Sequence, residues 1–417
     1  MVAFPLCLAL LLAAPARVEL VFGGDVIPHT PVKHTAQTHA KVDSADPARS
    51  LNHDGWDHVF GPLAQTFGGA DLAIVNLETP ISGNPKSVTG NMLFDAPASL
   101  LDGLLASGVD IATFANNHGL DQHREGILAT RLALTRAGLL STGADADEEQ
   151  AWAPLVVERS GIKIGFFAFT RFLNGFHNLP DPAAPHVPLV HYDDDPMSGC
   201  YDEAQLLVRV RAAAAKCDAL IVVPHWGEEY RPEPRPEDRR LAAKLVAAGA
   251  LAIVGHHPHV LQPIQTVERP DGSEAVVAFS LGNLVSNQDM ADEDSPKRDG
   301  MLLKLVLERA VPGGPVQMVR MDALPVWTEN VLKRGERRNV QPTVIDDELA
   351  AMRERLRTLE SRPDRVSLSE AKLLTRRLKE AAARRLRILQ VVPLELQRLA
   401  DVAAFDTSRQ RGQDARR

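Results

Sequence analysis

Short apolar runs that stop at polar, glycine-bearing residues recur along most of this chain, alternating with longer stretches in which Leu and Ala return at helical spacing. Residues 18–22, 72–75, 109–114, 220–223 and 251–254 are too brief for helices and read as buried strands. Further strands are expected at 155–158, 163–169, 264–267, 274–279 and 301–307, some separated only by turns such as Arg269-Pro270-Asp271-Gly272. Helical spacing marks 96–106, 123–137, 202–215 and 237–248. The alternation predicts an α/β layered domain, and the adjacent strand pairs predict mixed rather than purely parallel pairing.

Two long stretches fit neither period. Residues 30–55 are polar and His-rich, and 172–201 are rich in Pro and Asp; both are expected as loops of the kind that form lids or binding loops. Beyond residue 334 the pattern changes to Leu and Ala at helical spacing among many arginines, at 345–359 and 367–389, with Ser367 and Glu370 offering a capping box. This predicts a helical appendage packed on the main domain or on another subunit. Its basic face would suit an anionic lipid or polymer, although such a run is more often a solvated surface.

A chain of 417 residues exceeds the size at which one hydrophobic core stops growing, which agrees with a large domain plus an appendage. Its 46 Lys and Arg against 54 Asp and Glu leave a formal charge of −8, so nucleic acid is not an expected partner. Residues 2–14 form an apolar stretch too short to span a bilayer but suited to a signal-peptide core, with Ala14-Pro15-Ala16 as a small-residue cleavage pattern and no Lys or Arg ahead of it. The expected division is a signal peptide at 1–16, a main domain at 17–333 and a helical extension at 334–417. The expected location is the periplasm or cell envelope, with the cytoplasm as the alternative if 2–14 is instead a buried first strand. Without that segment only Cys200 and Cys217 remain, as a disulfide or as free thiols.

The runs at 18–22, 72–75, 109–114, 220–223 and 251–254 end in residues with ligand or acid–base chemistry. They are Asp25 after Gly23-Gly24, Glu78 in Asn76-Leu77-Glu78, Asn116-Asn117-His118, His225-Trp226-Gly227-Glu228, and Gly255-His256-His257-Pro258-His259. Strand carboxyl ends are where open α/β sheets gather ligands. Imidazole, carboxylate and amide donors suit manganese, zinc or iron, whereas a thiolate site needs closely spaced cysteines that this chain lacks. Each residue alone has a plainer reading: Asp25 as a helix cap, Glu78 as a surface carboxylate, His225 as a structural histidine. Together they predict a site for one or two divalent transition-metal ions, with His257-Pro258-His259 the most specific signal. Asn117 offers an amide oxygen to the metal, leaving His118 to donate a proton. Glu228 and Asp121 are candidates for carboxylates that orient the imidazoles.

In this order the residues resemble the bacterial capsule synthesis CapA family, involved in poly-γ-glutamate production, within the calcineurin-like metallophosphoesterase superfamily. The resemblance covers about residues 18–286. It rests on Gly24-Asp25-Val26, Asn76-Leu77-Glu78-Thr79-Pro80, Ala115-Asn116-Asn117-His118, His225-Trp226-Gly227-Glu228-Glu229-Tyr230, Gly255-His256-His257-Pro258-His259-Val260-Leu261-Gln262 and Ser280-Leu281-Gly282-Asn283. It implies a four-layer α/β/β/α sandwich of two mixed sheets flanked by helices, with metal bound at strand-end loops. It also implies Asp25 as the first metal-binding aspartate, Glu78 in the place of a bridging aspartate, and Asn117 as the ligand asparagine. His118 then corresponds to the catalytic neighbour, and His225, His257 and His259 to the later histidine ligands. Ile27 departs from the pattern, standing where Asp-x-His has its histidine; His29, two residues on, offers a substitute, and the number of ions stays open.

Two functions follow. The residues suggest metal-assisted hydrolysis of phosphoester type, with water activated by the metal and His118 as general acid. The resemblance implies a role in capsule or poly-γ-glutamate assembly at the cell envelope, with an anionic polymer or phosphoester as substrate and membrane-bound capsule synthesis subunits as partners. A non-catalytic, metal-containing envelope component that binds an acidic polymer or partner subunits is the alternative, and a structural histidine cluster the plainest one. There is no Gly-x-x-x-x-Gly-Lys-Ser/Thr loop, so an ATP-consuming ligase is not expected.

Overall fold

In the computed structural model, which describes residues 15–87, 89, 92–192, 202–288, 295–331, 339–361 and 365–393, the apolar runs pair into two sheets. The first opens with β1 (Ala16–Val26), β2 (Leu72–Leu77), β3 (Ile111–Phe114) and β4 (Leu140–Gly143), each parallel to the next. The chain then crosses to the second sheet. Its strands are β5 (Leu155–Arg159), β6 (Ile162–Thr170), β7 (Ala219–His225), β8 (Ala250–Val254), β9 (Ile264–Glu268) and β10 (Glu274–Ala278), in the order β5-β6-β7-β8-β10-β9. Finally it returns as β11 (Asn283–Val285), β12 (Asp299–Arg309), β13 (Gln317–Val331) and β14 (Asn339–Val344). The first sheet then reads β14-β13-β12-β1-β2-β3-β4, with β11 beside β1. Both sheets are mixed, because β12, β13 and β14 pair antiparallel in the first and β5 and β9 do so at the edges of the second.

The two-residue period of a strand sorts these side chains into layers. Val18, Leu20 and Phe22 of β1 point into a core shared with Ile164, Phe166, Ile221 and Val223 of the second sheet. Val21, Ala73 and Val75 face the other way, towards helices Ser99–Ala106 and His123–Ala137. On the far side, Val222 and Phe167 meet helices Glu203–Ala214 and Pro236–Ala247. The result is the four-layer α/β/β/α sandwich.

Several elements differ from the pattern-based expectation. Residues 30–55 are not all loop: helix Thr30–His39 has Pro31 in its first turn and buries Val32, Thr35 and Ala36 on one face. That i, i+3, i+4 stripe is short and one of its three residues is polar, so the surrounding histidines mask it. Strands β4, β11, β13 and β14 also escape the apolar pattern; β14 lies at a sheet edge and alternates buried with half-buried positions instead of forming a run. It extends the main sheet beyond residue 334, where the composition changes. Residues 172–192 are irregular and tied down by bridges such as Thr170↔Leu189, while 193–201 lie outside the described residues.

The C-terminal helices Ile345–Glu360 and Arg365–Leu389 pack on the main domain, placing Leu349, Met352, Ala381 and Ile388 in the inter-sheet core. Arg384 Nη1 lies 2.7 Å from Asp299 Oδ1, and Arg387 Nη2 lies 2.9 Å from its Oδ2. Arg377 and Arg385 pair with Glu348 and Asp346, so intramolecular carboxylates occupy part of the basic face. The second helix begins at Arg365, two residues before Ser367, and Glu370 pairs with Arg355. Of the segment expected as a signal peptide, residues 1–14 lie outside the described residues, as does Cys200; Cys217 is a free thiol. No helix among the described residues is long and apolar enough to cross a membrane.

Candidate metal centre

The strand ends of both sheets converge. From the first come Asp25 near the end of β1, Glu78 just past β2, and Asn117 and His118 just past β3; from the second come His225, the last residue of β7, and His257 and His259 past β8. Gly24 makes the meeting of β1 and β11 possible. A Cβ there would sit 2.1 Å from the Gly282 carbonyl oxygen, which instead accepts the Asp25 N–H at 3.0 Å. His257 and His259 both adopt left-handed backbone, with φ of 98° and 56°, a strained arrangement that aims two imidazoles from one tight turn.

Glu78 is the centre of the arrangement. Its Oε1 lies 3.6 Å from His225 Nε2, 3.6 Å from His259 Nε2 and 3.9 Å from His118 Nε2, yet makes no hydrogen bond. Ligand atoms of Asp25, Glu78 and His225 lie within 4.8 Å of one another, and so do those of Glu78, His257 and His259. The two groups share Glu78. Asn117 Oδ1 is 2.7 Å from His225 Nε2, and His257 Nδ1 is 3.1 Å from the same nitrogen. His259 Nδ1 sits 3.2 Å from Asp25 Oδ2 without a hydrogen bond.

All seven of these side chains are buried. This burial opposes the charged form of Asp25, but the imidazoles of His256 and His259 outweigh it and hold that carboxyl well below its ordinary value. Burial, then the charge of Asp25, pushes Glu78 well above its own. Burial lowers His225 well below the ordinary imidazole value, and His257 to about 3, so both rings are neutral and ready to ligate.

The remaining sequence candidates fall out differently. Asp121 does orient an imidazole, that of His118: its Oδ2 lies 2.7 Å from Nδ1. His29 is in neither donor group; its Nδ1 accepts the Asn287 N–H at 3.1 Å, and burial lowers it to about 4. Glu228 does not orient a site histidine: the chain turns at Gly227, with φ of 92°, and Glu228 is exposed and paired with Arg231. Ile27, in the expected histidine position, is buried and supplies no donor.

Three residues absent from the predicted set support the site. His256 Nδ1 lies 2.9 Å from Asp25 Oδ1, Asn76 Nδ2 donates to the same oxygen at 2.8 Å, and Phe94 stacks on His118 with ring centroids 4.1 Å apart. His256 belongs to the same His-rich run and Asn76 is a polar residue in an apolar strand, so both carried a signal. Phe94 carried none.

These residues fit a divalent cation. A buried carboxylate oxygen and a buried imidazole nitrogen lack hydrogen bonds, and the surrounding donors are carboxylate, neutral imidazole and amide.

Comparison with known proteins identifies the family of the chain. The family described as bacterial capsule synthesis protein PGA_cap matches residues 19–288. The capsule biosynthesis protein CapA of Bacillus anthracis is 27% identical over 247 residues, 57% of this chain and 56% of that protein. The PGA biosynthesis protein CapA of Bacillus subtilis (strain 168) is 28% identical over 243 residues, 56% of this chain and 58% of that protein. A probable polyglutamine synthesis accessory protein of Mycobacterium tuberculosis is 23% identical over 304 residues, covering 68% of this chain and 76% of its own. The chain thus spans little more than half the length of the two Bacillus proteins. With its ligand-bearing strand ends inside the matched span, the chain belongs to the bacterial capsule synthesis PGA_cap family of CapA proteins.

Proposed function

We propose that this protein is a metal-assisted hydrolase of anionic, phosphoester-type substrates, serving capsule or polyglutamate assembly at the cell envelope. The observation that carries the reading is Glu78, a member of both donor groups, whose Oε1 makes no hydrogen bond and lies 3.9 Å from His118 Nε2. Asp25, Glu78, Asn117, His225, His257 and His259 would hold the cation. A manganese, zinc or iron ion in such a set supplies Lewis acidity towards an anionic oxygen.

The chain's own part lies in His118. Asp121 holds the proton on Nδ1 and Phe94 packs on the ring face, so Nε2 is aimed at the centre. Protonated on both nitrogens, the ring would hand its Nε2 proton to the leaving oxygen of the ester and keep its Nδ1 proton on Asp121. The capsule and polyglutamine roles named for the relatives support an acidic polymer or its phosphorylated precursor as substrate, with membrane-bound synthesis subunits as partners. The apolar run at residues 2–14 supports export.

The test is metal analysis together with turnover of phosphomonoesters and phosphodiesters in added manganese. Hydrolysis that is lost in His118→Ala while bound metal is kept is the expected result. Metal bound stoichiometrically with no ester turned over would overturn the hydrolase and leave a binding component.

A further inference from the structure

Behind the His225–His257 side of the centre lies a buried polar cluster to which the proposed chemistry gives no task. Tyr192, at the end of the irregular 172–192 segment, is only 6% exposed. Its ring carries the guanidinium of Arg171 at 3.8 Å and that of Arg235 at 4.0 Å from the centroid. Its hydroxyl donates to Asp238 Oδ1 at 3.0 Å and accepts the Gly227 N–H at 3.1 Å. Two clamping cations and two hydrogen bonds fix this phenol in every direction, an expensive arrangement for a segment without regular structure.

What it fixes is the turn that follows His225. Gly227 comes two residues after that ligand, and its φ of 92° directs the chain away from the site. Arg171 N–H donates to the His225 carbonyl at 3.0 Å, so the same residue that clamps Tyr192 also ties the ligand's backbone. On the other flank, Phe172 lies 5.6 Å from the Tyr192 ring and 4.8 Å from the ring of His257. Both histidines therefore rest on groups that Tyr192 holds.

We infer that Tyr192 is a positioning residue for the metal centre: its hydroxyl locks the Gly227 turn to the helix bearing Asp238, and through that turn and Phe172 it sets where His225 and His257 present their nitrogens. This rests on the metal reading above. Supports of this kind behind ligating histidines are worth roughly 10–100-fold in metal affinity.

Cobalt substitution tests it, because the visible bands of bound cobalt report ligand geometry independently of turnover. Tyr192→Phe keeps the ring between its arginines and removes only the hydroxyl. The expected result is shifted cobalt bands and cobalt affinity weakened about tenfold. Arg235→Gln, which loosens the clamp from its more exposed side, should move the bands the same way by less. Bands and affinity in Tyr192→Phe identical to wild type would overturn the inference; if that variant does not fold, Arg235→Gln decides by the same criterion. Wild-type protein that takes up no cobalt would overturn the metal reading itself, and this inference with it.

Discussion

His118 and Asp121, three residues apart, are joined by a 2.7 Å contact between Nδ1 and Oδ2, and the same carboxylate oxygen accepts the backbone N–H of Phe94 at 2.7 Å. One buried oxygen thereby sets the tautomer of the histidine and the position of the ring stacked upon it. Asp121→Asn would remove the negative charge that favours the doubly protonated ring, the form in which Nε2 carries the proton to be donated. We expect kcat to fall by roughly 10²–10⁴-fold while bound metal, read by elemental analysis, is unchanged. Equal loss of metal would move Asp121 from orienting the acid to building the cation site.

Burial and its neighbour's charge hold the Glu78 carboxyl well above its ordinary value, while the imidazoles of His256 and His259 hold that of Asp25 well below its own. A cation held by both carboxylates would favour the ionised form of Glu78, so metal uptake should release a proton. Calorimetry in buffers of different ionisation enthalpy measures the number released. A value near zero would mean that Glu78 is already ionised in the metal-free protein.

Asp238 gives a pH dependence with a definite sign. Burial raises its carboxyl to about 6, against opposing pulls from the Tyr192 hydroxyl and two arginines. The folded state therefore binds this proton more tightly than the unfolded one. The associated stability is fully present below pH 3.8 and is lost as pH rises through about 6. Asp238→Asn, which still accepts from Tyr192, should be more stable than wild type by about 3 kcal/mol at pH 8, with the difference vanishing near pH 4. Denaturant unfolding at the two pH values checks this; a constant difference would point to lost packing.

Gly24 admits no side chain. Because the obstacle to its Cβ is the backbone of Gly282, no rotamer change relieves Gly24→Ala, and β1 and β11 must separate. A loss of about 1–3 kcal/mol in unfolding free energy is expected, together with weakened metal binding through Asp25. An unaltered unfolding midpoint would show that the strands part without cost.

The layered core and the strand-end ligands were legible because both depend on local sequence: a run of apolar residues, then a polar residue at its end. The turn His257-Pro258-His259 could be read in the same way. What stayed hidden depends on distant partners. Thr30–His39 is a helix because its small buried stripe meets other elements, and β14 is a strand because β13 pairs with it. Glu228 was misjudged for a similar reason, since the positive φ of Gly227, not the proximity of Glu228 to His225 in sequence, decides where it points. His256 was passed over beside His257 and His259, although a run of three imidazoles in four residues leaves one to support the others.

The position of β1 in its sheet bears on the order in which the molecule can assemble. It pairs with β2 on one edge and with β12 on the other, and Ala16 lies opposite Arg309. The strand that supplies Asp25 therefore keeps an unpaired edge until a segment almost three hundred residues later in the chain arrives. Pairings of such long sequence separation are slow to form, because loop closure is spent before the contacts repay it. The cation site is thus a late product of folding, assembled when the returning strands close the first sheet, and a chain halted before β12 would carry all of the proposed ligands without the strands that complete that sheet.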